Sequence, residues 1–207
     1  MKLATPAKNP IRICIVGGGF AGIFAAQELA RKVKALSLHI TLINSKDHFL
    51  FVPMLHEVAT GNLSAPSIVQ PILQLPYAQA LSFIEGSVTS IDCDQKTLMY
   101  VPGCSKEAKT ISYDYVILAS GSETDYHGIT GAEENTLSLK SLSEARKIKN
   151  AVLGSFERAR EIRAQGKTTE LNIIIIGGGP TGVELAGEIA DFVYDEIAAA
   201  YPEEAKS

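Results

Sequence analysis

The sequence predicts an α/β fold: a parallel sheet covered by helices, carrying an antiparallel meander, with a second unit of the same kind opening toward the C-terminus. Three observations carry this prediction. The first is Asn172-Ile-Ile-Ile-Ile-Gly-Gly-Gly-Pro-Thr-Gly-Val-Glu184, where an apolar run reads as a buried strand and glycines follow at Gly177, Gly179 and Gly182. A small-residue amphipathic helix then begins. The second is an earlier copy of that pattern, Pro10-Ile-Arg-Ile-Cys-Ile-Val16 followed by Gly17-Gly-Gly-Phe-Ala-Gly22. The third is a pair of alternating segments, Leu81–Asp92 and Leu98–Val101, joined by a polar turn at Cys93–Thr97.

Strand, G-x-G-x-x-G turn and helix occur in the order that a dinucleotide pyrophosphate requires, so both units read as Rossmann-like. The first glycine permits the tight turn, the second lets backbone N–H groups approach the phosphates, and the third lets the helix pack close to the sheet. The helix N-terminus then faces the anion. One such pattern is weak evidence; two in one chain are much stronger.

Along the chain, Ile23, Ala26, Ala30 and Val33 give the helix after the first turn an apolar stripe. His39–Ile43 is the next strand, closed by Asn44 at about the distance, roughly 20 residues, where an acid normally grips the adenosine ribose. Asn donates and accepts hydrogen bonds but lacks the charge for a bidentate grip on two hydroxyls, so a weaker ribose contact is expected. Ser45–Gly61 reads as an irregular apolar stretch, either folded over something flat or capping the sheet edge. Ser64–Leu75 reads as a short helix bent or divided at Pro71. Leu81–Asp92 is expected to bend at Gly86. Ile111–Ala119 reads as one strand running into Ser120-Gly121-Ser122, and Asp125–Asn135 as a connection. Ser141 and Glu144 have capping-box spacing. They precede a helical face of Ile148, Val152, Phe156, Ala159 and Ile162 that Gly166 closes. After the isoleucine strand a helix is expected over Thr181–Ala200.

Several classes are excluded. A net charge of −4 leaves no basic footprint for nucleic acid. No apolar run approaches the roughly 20 residues of a membrane span, and Met1–Pro10 lacks the apolar core of a signal sequence. Cys14, Cys93 and Cys104 fit neither a disulfide framework nor metal-ligand spacing, which suits a cytosolic redox state and no metal site. Two dinucleotide sites in one chain are most simply one held permanently and one that visits, and a flavin with a nicotinamide cofactor fits best. Between Asn44 and Gly61 there is no cysteine, so electrons do not leave through a local disulfide.

The chain resembles the type II NADH dehydrogenases, single-polypeptide flavoproteins that oxidise NADH and reduce quinone. The resemblance rests on Gly17–Gly22, on Phe51-Val-Pro-Met-Leu-His-Glu-Val-Ala-Thr-Gly61, on Tyr113-Asp-Tyr-Val-Ile-Leu-Ala-Ser-Gly-Ser-Glu-Thr124, and on Gly177-Gly-Gly-Pro-Thr-Gly-Val-Glu-Leu-Ala-Gly187. It implies that residues 1–125 are an FAD-binding domain completed by a later segment. Residues 126–207 would be a connecting helix and the start of an NADH-binding domain. It implies FAD at Gly17, Gly19, Phe20, Ala21, Gly22, Asn44, Val88, Ala119, Ser120 and Gly121. NADH would sit at Gly177, Gly179, Pro180, Thr181 and Gly182. Glu184 matches a glutamate near the nicotinamide–flavin contact, there to orient the ring or relay a proton. The competing account is that an acid in the first helical turn is favoured by the macrodipole, by about 0.3–1 kcal/mol.

The second unit has one strand and one helix, so the sequence reads as the front part of a longer protein, inactive alone; the alternative is that Ile173–Ile176 joins the first sheet. Quinone site and peripheral attachment to the cytoplasmic face of the inner membrane would lie in the C-terminal remainder. A homodimer is compatible with this reading. Rival readings are a ferredoxin or rubredoxin reductase and a non-catalytic dinucleotide-binding redox sensor.

Overall fold

The architecture follows from which apolar segments find partners. The computed structural model describes residues 9–201, so most of Met1–Pro10 and the residues after Tyr201 lie outside it. The chain forms two units, Met1–Leu50 with Val69–Ser122, and Phe51–Ile68 with Glu123–Ser207.

In the first unit β1 (Ile11–Val16) leads through the glycine turn into α1 (Phe20–Ala30), then α2 (Val33–Leu36) and β2 (Leu38–Asn44). Ile13 and Ile15 point to one face of the sheet and Cys14 and Val16 to the other, as the two-residue period of a strand requires. The first face is closed by Ile23 and Ala26 of α1 together with Leu38, Ile40 and Leu42 of β2. Full burial of side chains of this size contributes about 1.5–3 kcal/mol each. The predicted stripe is present on α1 at Ile23 and Ala26 with Ala30 partly buried, but the single helix expected through Val33 is broken, and Val33, also partly buried, opens α2.

β3 (His48–Leu50) pairs antiparallel with β4 (Val69–Pro71) in a separate two-stranded ribbon. The stretch expected to be irregular thus contains a strand, followed in the second unit by a 3₁₀ turn at Val52–Met54 and a helix, α3 (Leu55–Thr60). Gly61, at φ 102°, ends that helix in the left-handed region. Ser64–Leu75 is likewise not one bent helix. It is a 3₁₀ turn at Ala65–Ile68, then β4, then a 3₁₀ turn at Ile72–Gln74, because Pro71 donates no N–H and starts the second turn from extended backbone.

β5 (Leu81–Asp92) has two partners. Its first half runs parallel to β2, from Ile40↔Leu81 to Asn44↔Glu85, and its second half runs antiparallel to β6 (Thr97–Pro102). The irregularity expected at Gly86 falls instead between Val88 and Ser90. What Gly86 provides is a close approach between strands, since a Cβ there would lie 2.7 Å from the Val101 carbonyl oxygen. β7 (Lys109–Ser112) extends the meander, and β8 (Tyr115–Leu118) returns parallel to β1. The single strand expected over Ile111–Ala119 is therefore two. The break at Tyr113-Asp114 is held by Arg12, whose backbone N–H and guanidinium bond the Asp114 carboxylate at 2.7 and 3.0 Å. The sheet order is β7-β6-β5-β2-β1-β8. Leu98, Tyr100 and Tyr113 from the meander close the second face of β1 and β2.

The second unit is helical among the described residues. α4 (Ala132–Asn135) lies in the expected connection, and α5 (Leu142–Ala164) starts at Ser141, whose Oγ accepts the Glu144 N–H. The Glu144 carboxylate in turn accepts from Ser141 Oγ at 2.8 Å and from the Lys140 N–H at 2.9 Å. Desolvation raises this carboxyl, but the hydrogen bond from Ser138 Oγ, then those from Ser141 and the Lys140 N–H, outweigh it and hold it below the ordinary glutamate value. Ala145, Ile148, Val152, Phe156 and Ala159 form the buried face, and Gly166 follows at φ 74°. α6 (Pro180–Asp191) continues through a π-helical turn at Phe192–Ile197 into α7 (Ala198–Ala200).

The strand expected over the isoleucine run is also overturned. Ile173–Ile176 is in no ladder, and Ile174 and Ile176 are 83% and 71% exposed. The apolar pattern is that of a buried strand, but a strand needs a neighbour, and no described residue pairs with this one. The alternative in which it joins the first sheet fails too, since among the described residues that sheet is made of β1, β2 and β5–β8.

Candidate functional site

The parallel strands β1, β2 and β8 all end on one side, and the chain leaves β1 toward β2 but returns on the opposite flank as β8. Ligands of open α/β sheets bind at such a reversal of strand order, beyond the strands' carboxyl ends. The first glycine loop sits there. The Gly17 N–H donates to Ile43 O and the Ala119 N–H to Val16 O, both at 2.8 Å, so the two neighbouring strands clamp the end of β1.

Each glycine of the loop has a distinct reason. Gly17 has φ +105°, and a Cβ on it would run into the Ala119 carbonyl. A Cβ on Gly22 would overlap the Gly17 carbonyl oxygen, so helix and turn meet only without side chains. Gly19 is different. Its φ is −80°, and nothing lies within 4 Å of where its Cβ would be. Among the described residues, neither the backbone nor any neighbouring atom demands glycine at this position, which leaves a cradle that a Cβ would fill.

The second loop repeats this pattern. Gly177 has φ +105°, a Cβ on Gly182 would overlap the Gly177 carbonyl oxygen, and Gly179 at φ −75° has open space around its Cβ position. In both loops the second glycine is the helix N-cap, and no side chain caps the helix. Pro180 follows at the first helical position, where its absent N–H costs nothing. The Ile23 and Val183 N–H groups close the first helical turns on Gly19 O and Gly179 O at 2.9 and 3.1 Å. The same backbone device is thus built twice.

Of the remaining candidate residues of the first unit, all but Val88 lie at or beside the first loop. Ala119 abuts Gly17, Ser120 follows it, and Gly121 is left-handed at φ 79° with free space beside it. Phe20 is 38% exposed at the start of α1 and meets Phe49 edge-on at 5.0 Å, with Ala21 exposed beside it. Asn44 touches the loop directly: its Oδ1 accepts the Gly18 N–H at 2.8 Å. Val88 stands on β5 beyond the Asn44↔Glu85 rung, separated from β1 by β2.

In the second unit, Glu184 of α6 is half exposed and its Oε2 lies 3.6 Å from Nδ1 of His56 on α3. One turn further along both helices, Thr60 Oγ1 donates to Glu188 Oε2 at 3.1 Å, and Asn62 Nδ2 donates to the same oxygen. α3 and α6 are therefore joined by two polar rungs at matching i, i+4 spacing. Sequence reading did not find His56, Thr60 or Glu188, because α3 was hidden in an apolar stretch. The i, i+4 match of His56 and Thr60 with Glu184 and Glu188 was the available signal. Glu184 also lies past the first turn of α6, which holds no acidic residue, and the macrodipole acts mainly within that turn. Among the described residues there is no cluster of metal-binding side chains, and no helix is long and apolar enough to cross a membrane.

The chain thus carries two G-x-G-x-x-G turns, each opening a helix whose N-cap is the second glycine, on an α/β framework. The sequence model of the pyridine nucleotide-disulphide oxidoreductase family matches residues 11–200, and the chain belongs to that family. It is 32% identical over 200 residues to an external alternative NAD(P)H-ubiquinone oxidoreductase B3, mitochondrial, of Arabidopsis thaliana, covering 92% of this chain and 34% of that protein. It is 31% identical over 209 residues to a probable mitochondrial NADH-ubiquinone oxidoreductase of Schizosaccharomyces pombe, covering 97% and 37%. Its fold superposes on the structure of NDH2 from Plasmodium falciparum in complex with NADH, with TM-score 0.82 and 25% identity over 96% of this chain and 40% of that one. The chain therefore spans little more than a third of the length of these curated relatives.

Proposed function

We propose that the chain is part of a flavoprotein that takes electrons from NADH and passes them to a quinone, with FAD at the first glycine loop and NADH at the second. The observation that carries this reading is the pair Gly19 and Gly179, glycines that no described residue requires. A side chain at either would occupy the space through which a pyrophosphate reaches the helix N-terminus. The names of the relatives, oxidoreductases of NAD(P)H and ubiquinone, supply the substrate classes.

In this reading Gly17, Gly19, Phe20, Ala21 and Gly22 hold the FAD pyrophosphate, Ala119, Ser120 and Gly121 form the wall beside it, and Asn44 and Val88 stand toward its adenosine end. Gly177, Gly179, Pro180, Thr181 and Gly182 hold the NADH pyrophosphate. Bound flavin supplies the chemistry that the side chains lack, accepting two electrons from a dihydronicotinamide and releasing them singly or in pairs. Glu184 is assigned to orient the nicotinamide or to hold a proton, with His56 as its neighbour. Quinones reside in lipid, so the whole protein would act at the surface of a membrane that carries them.

The test uses the complete protein, mixed with FAD, freed of unbound flavin by gel filtration and kept anaerobic. A yellow complex that bleaches on addition of NADH supports the reading. A protein that binds NADH but carries no flavin after that step would favour the redox-sensor alternative and refute this one.

A further inference from the structure

We propose that Asn44 is a positioning residue that braces the first glycine loop, and that the acid usual for such sites would weaken this one. The inference rests on the assignment of FAD to the first loop.

The two ends of the Asn44 amide have different partners. Its Oδ1 accepts the Gly18 N–H at 2.8 Å, while its Nδ2 donates to the Lys46 carbonyl at 2.9 Å and lies 3.5 Å from the His48 carbonyl. One side needs an acceptor and the other a donor, and an amide is the group of this size that supplies both. An aspartate would satisfy Gly18 but would aim its second oxygen at two carbonyl oxygens. It would also add a charge beside Glu85, which is the registered neighbour of Asn44 on β5.

The brace explains a residue that the G-x-G-x-x-G pattern leaves open. Gly18 is the unspecified position, yet a Cβ on it would lie 2.7 Å from Asn44 Cγ. The close approach of Asn44 therefore requires glycine there. The brace is this contact between the Asn44 amide and the loop backbone. By tying the end of β2 to the middle of the loop, it holds the backbone between Gly17 and Gly19 in place before the pyrophosphate arrives. Pre-organisation of this kind raises affinity without a new contact to the ligand.

The test is FAD affinity of the full chain, read by quenching of flavin fluorescence, in wild type, Asn44→Asp and Gly18→Ala, at pH 8 and pH 5. Asn44→Asp is expected to raise the FAD dissociation constant about tenfold at pH 8, as a donor–acceptor pairing is replaced by an acceptor facing acceptors. At pH 5 the gap from wild type should narrow, because the carboxyl, its pKa raised by the surrounding oxygens, protonates and again offers a donor to Lys46 O. Glu85 is its registered neighbour on β5 and Lys46, Asp47 and His48 follow it in the chain, so wild type measured at both pH values is the control. Gly18→Ala should weaken binding similarly at both pH values. Tighter or unchanged FAD binding by Asn44→Asp at pH 8 would overturn the proposal, as would a loss that does not depend on pH. If wild type binds no FAD, the flavin assignment fails but the brace remains measurable. Asn44→Asp should then lower the melting temperature at pH 8 and recover toward wild type at pH 5, and equal melting temperatures at pH 8 would refute it.

Discussion

Two alanine substitutions in the same loop should behave in opposite ways. At Gly22 a Cβ overlaps the Gly17 carbonyl oxygen, so Gly22→Ala must push α1 off the turn. Overpacking of this kind costs about 1–3 kcal/mol. For a chain of this length that is a fall of about 2–12 °C in melting temperature. At Gly19 the backbone is extended, at φ −80° and ψ −168°, and no atom lies within 4 Å of the Cβ position. Restricting the unfolded chain stabilises Gly19→Ala by about 0.4–1 kcal/mol. Alanine is a poorer N-cap than glycine, and the two effects cancel to within about 1 kcal/mol. The flavin-free Gly19→Ala protein should therefore melt within about 4 °C of wild type. Its FAD binding should suffer much more. If the methyl displaces the pyrophosphate from one charge-assisted N–H contact, the loss is about 1.5–3 kcal/mol, or roughly 10- to 150-fold in dissociation constant. Thermal melting of the flavin-free proteins and fluorescence titration with FAD measure the two quantities separately. The reasoning is refuted if Gly19→Ala retains wild-type FAD affinity, or if it melts as low as Gly22→Ala.

Further outcomes follow from the ion pairs and the helix cap. Glu184→Gln in the complete protein should leave FAD content unchanged and slow the NADH-to-quinone reaction by about 10²-fold, the lower range for loss of a positioned acid or base, measured by stopped-flow reduction and steady-state turnover. The Arg12 hydrogen bonds hold the Asp114 carboxyl down to about 2. A depressed carboxylate stabilises the fold above its unfolded value, about 3.9, and that contribution fades as pH falls from about 4 toward 2. The melting-temperature difference between wild type and Asp114→Asn should shrink over that window and be constant above pH 5. Ser141→Ala removes the acceptor for the Glu144 N–H and should cost about 1 kcal/mol in chemical denaturation of the second unit.

What sequence reading reached was local. The two glycine turns, the face of α5 and its Ser141–Glu144 cap are each written within a few residues, and each is present. β5 was likewise bounded correctly at Leu81 and Asp92, since alternation and flanking turns mark a strand without reference to its partners. The errors came where a distant residue decides. The break between β7 and β8 depends on Arg12, about a hundred positions away in sequence, which no window around Tyr113 contains. The isoleucine run announces a strand, but periodicity describes what a segment can bury and not whether a neighbour is there to bury it. In the candidate site the glycines were legible because their constraint is backbone geometry. His56 beside Glu184 was not, because it arises from the packing of two helices far apart in the chain. Asn44 was found by its spacing from Gly22, yet its partners, Gly18 and Lys46, became visible only in three dimensions.

The placement of β8 has a kinetic consequence. The glycine loop belongs to the first strand of its unit, but the wall it presses against, Ala119–Gly121, belongs to the last. The Arg12–Asp114 contact that seats β8 closes a loop of 102 residues. Closing a loop costs entropy that grows with its length, and contacts of such separation form late in folding. During synthesis, β1, α1 and β2 can pair as soon as they emerge, while the meander and β8 are still to come. The half-built unit would then present the loop without its wall. Cofactor capture would be one of the last events in the maturation of this unit rather than a template for its beginning.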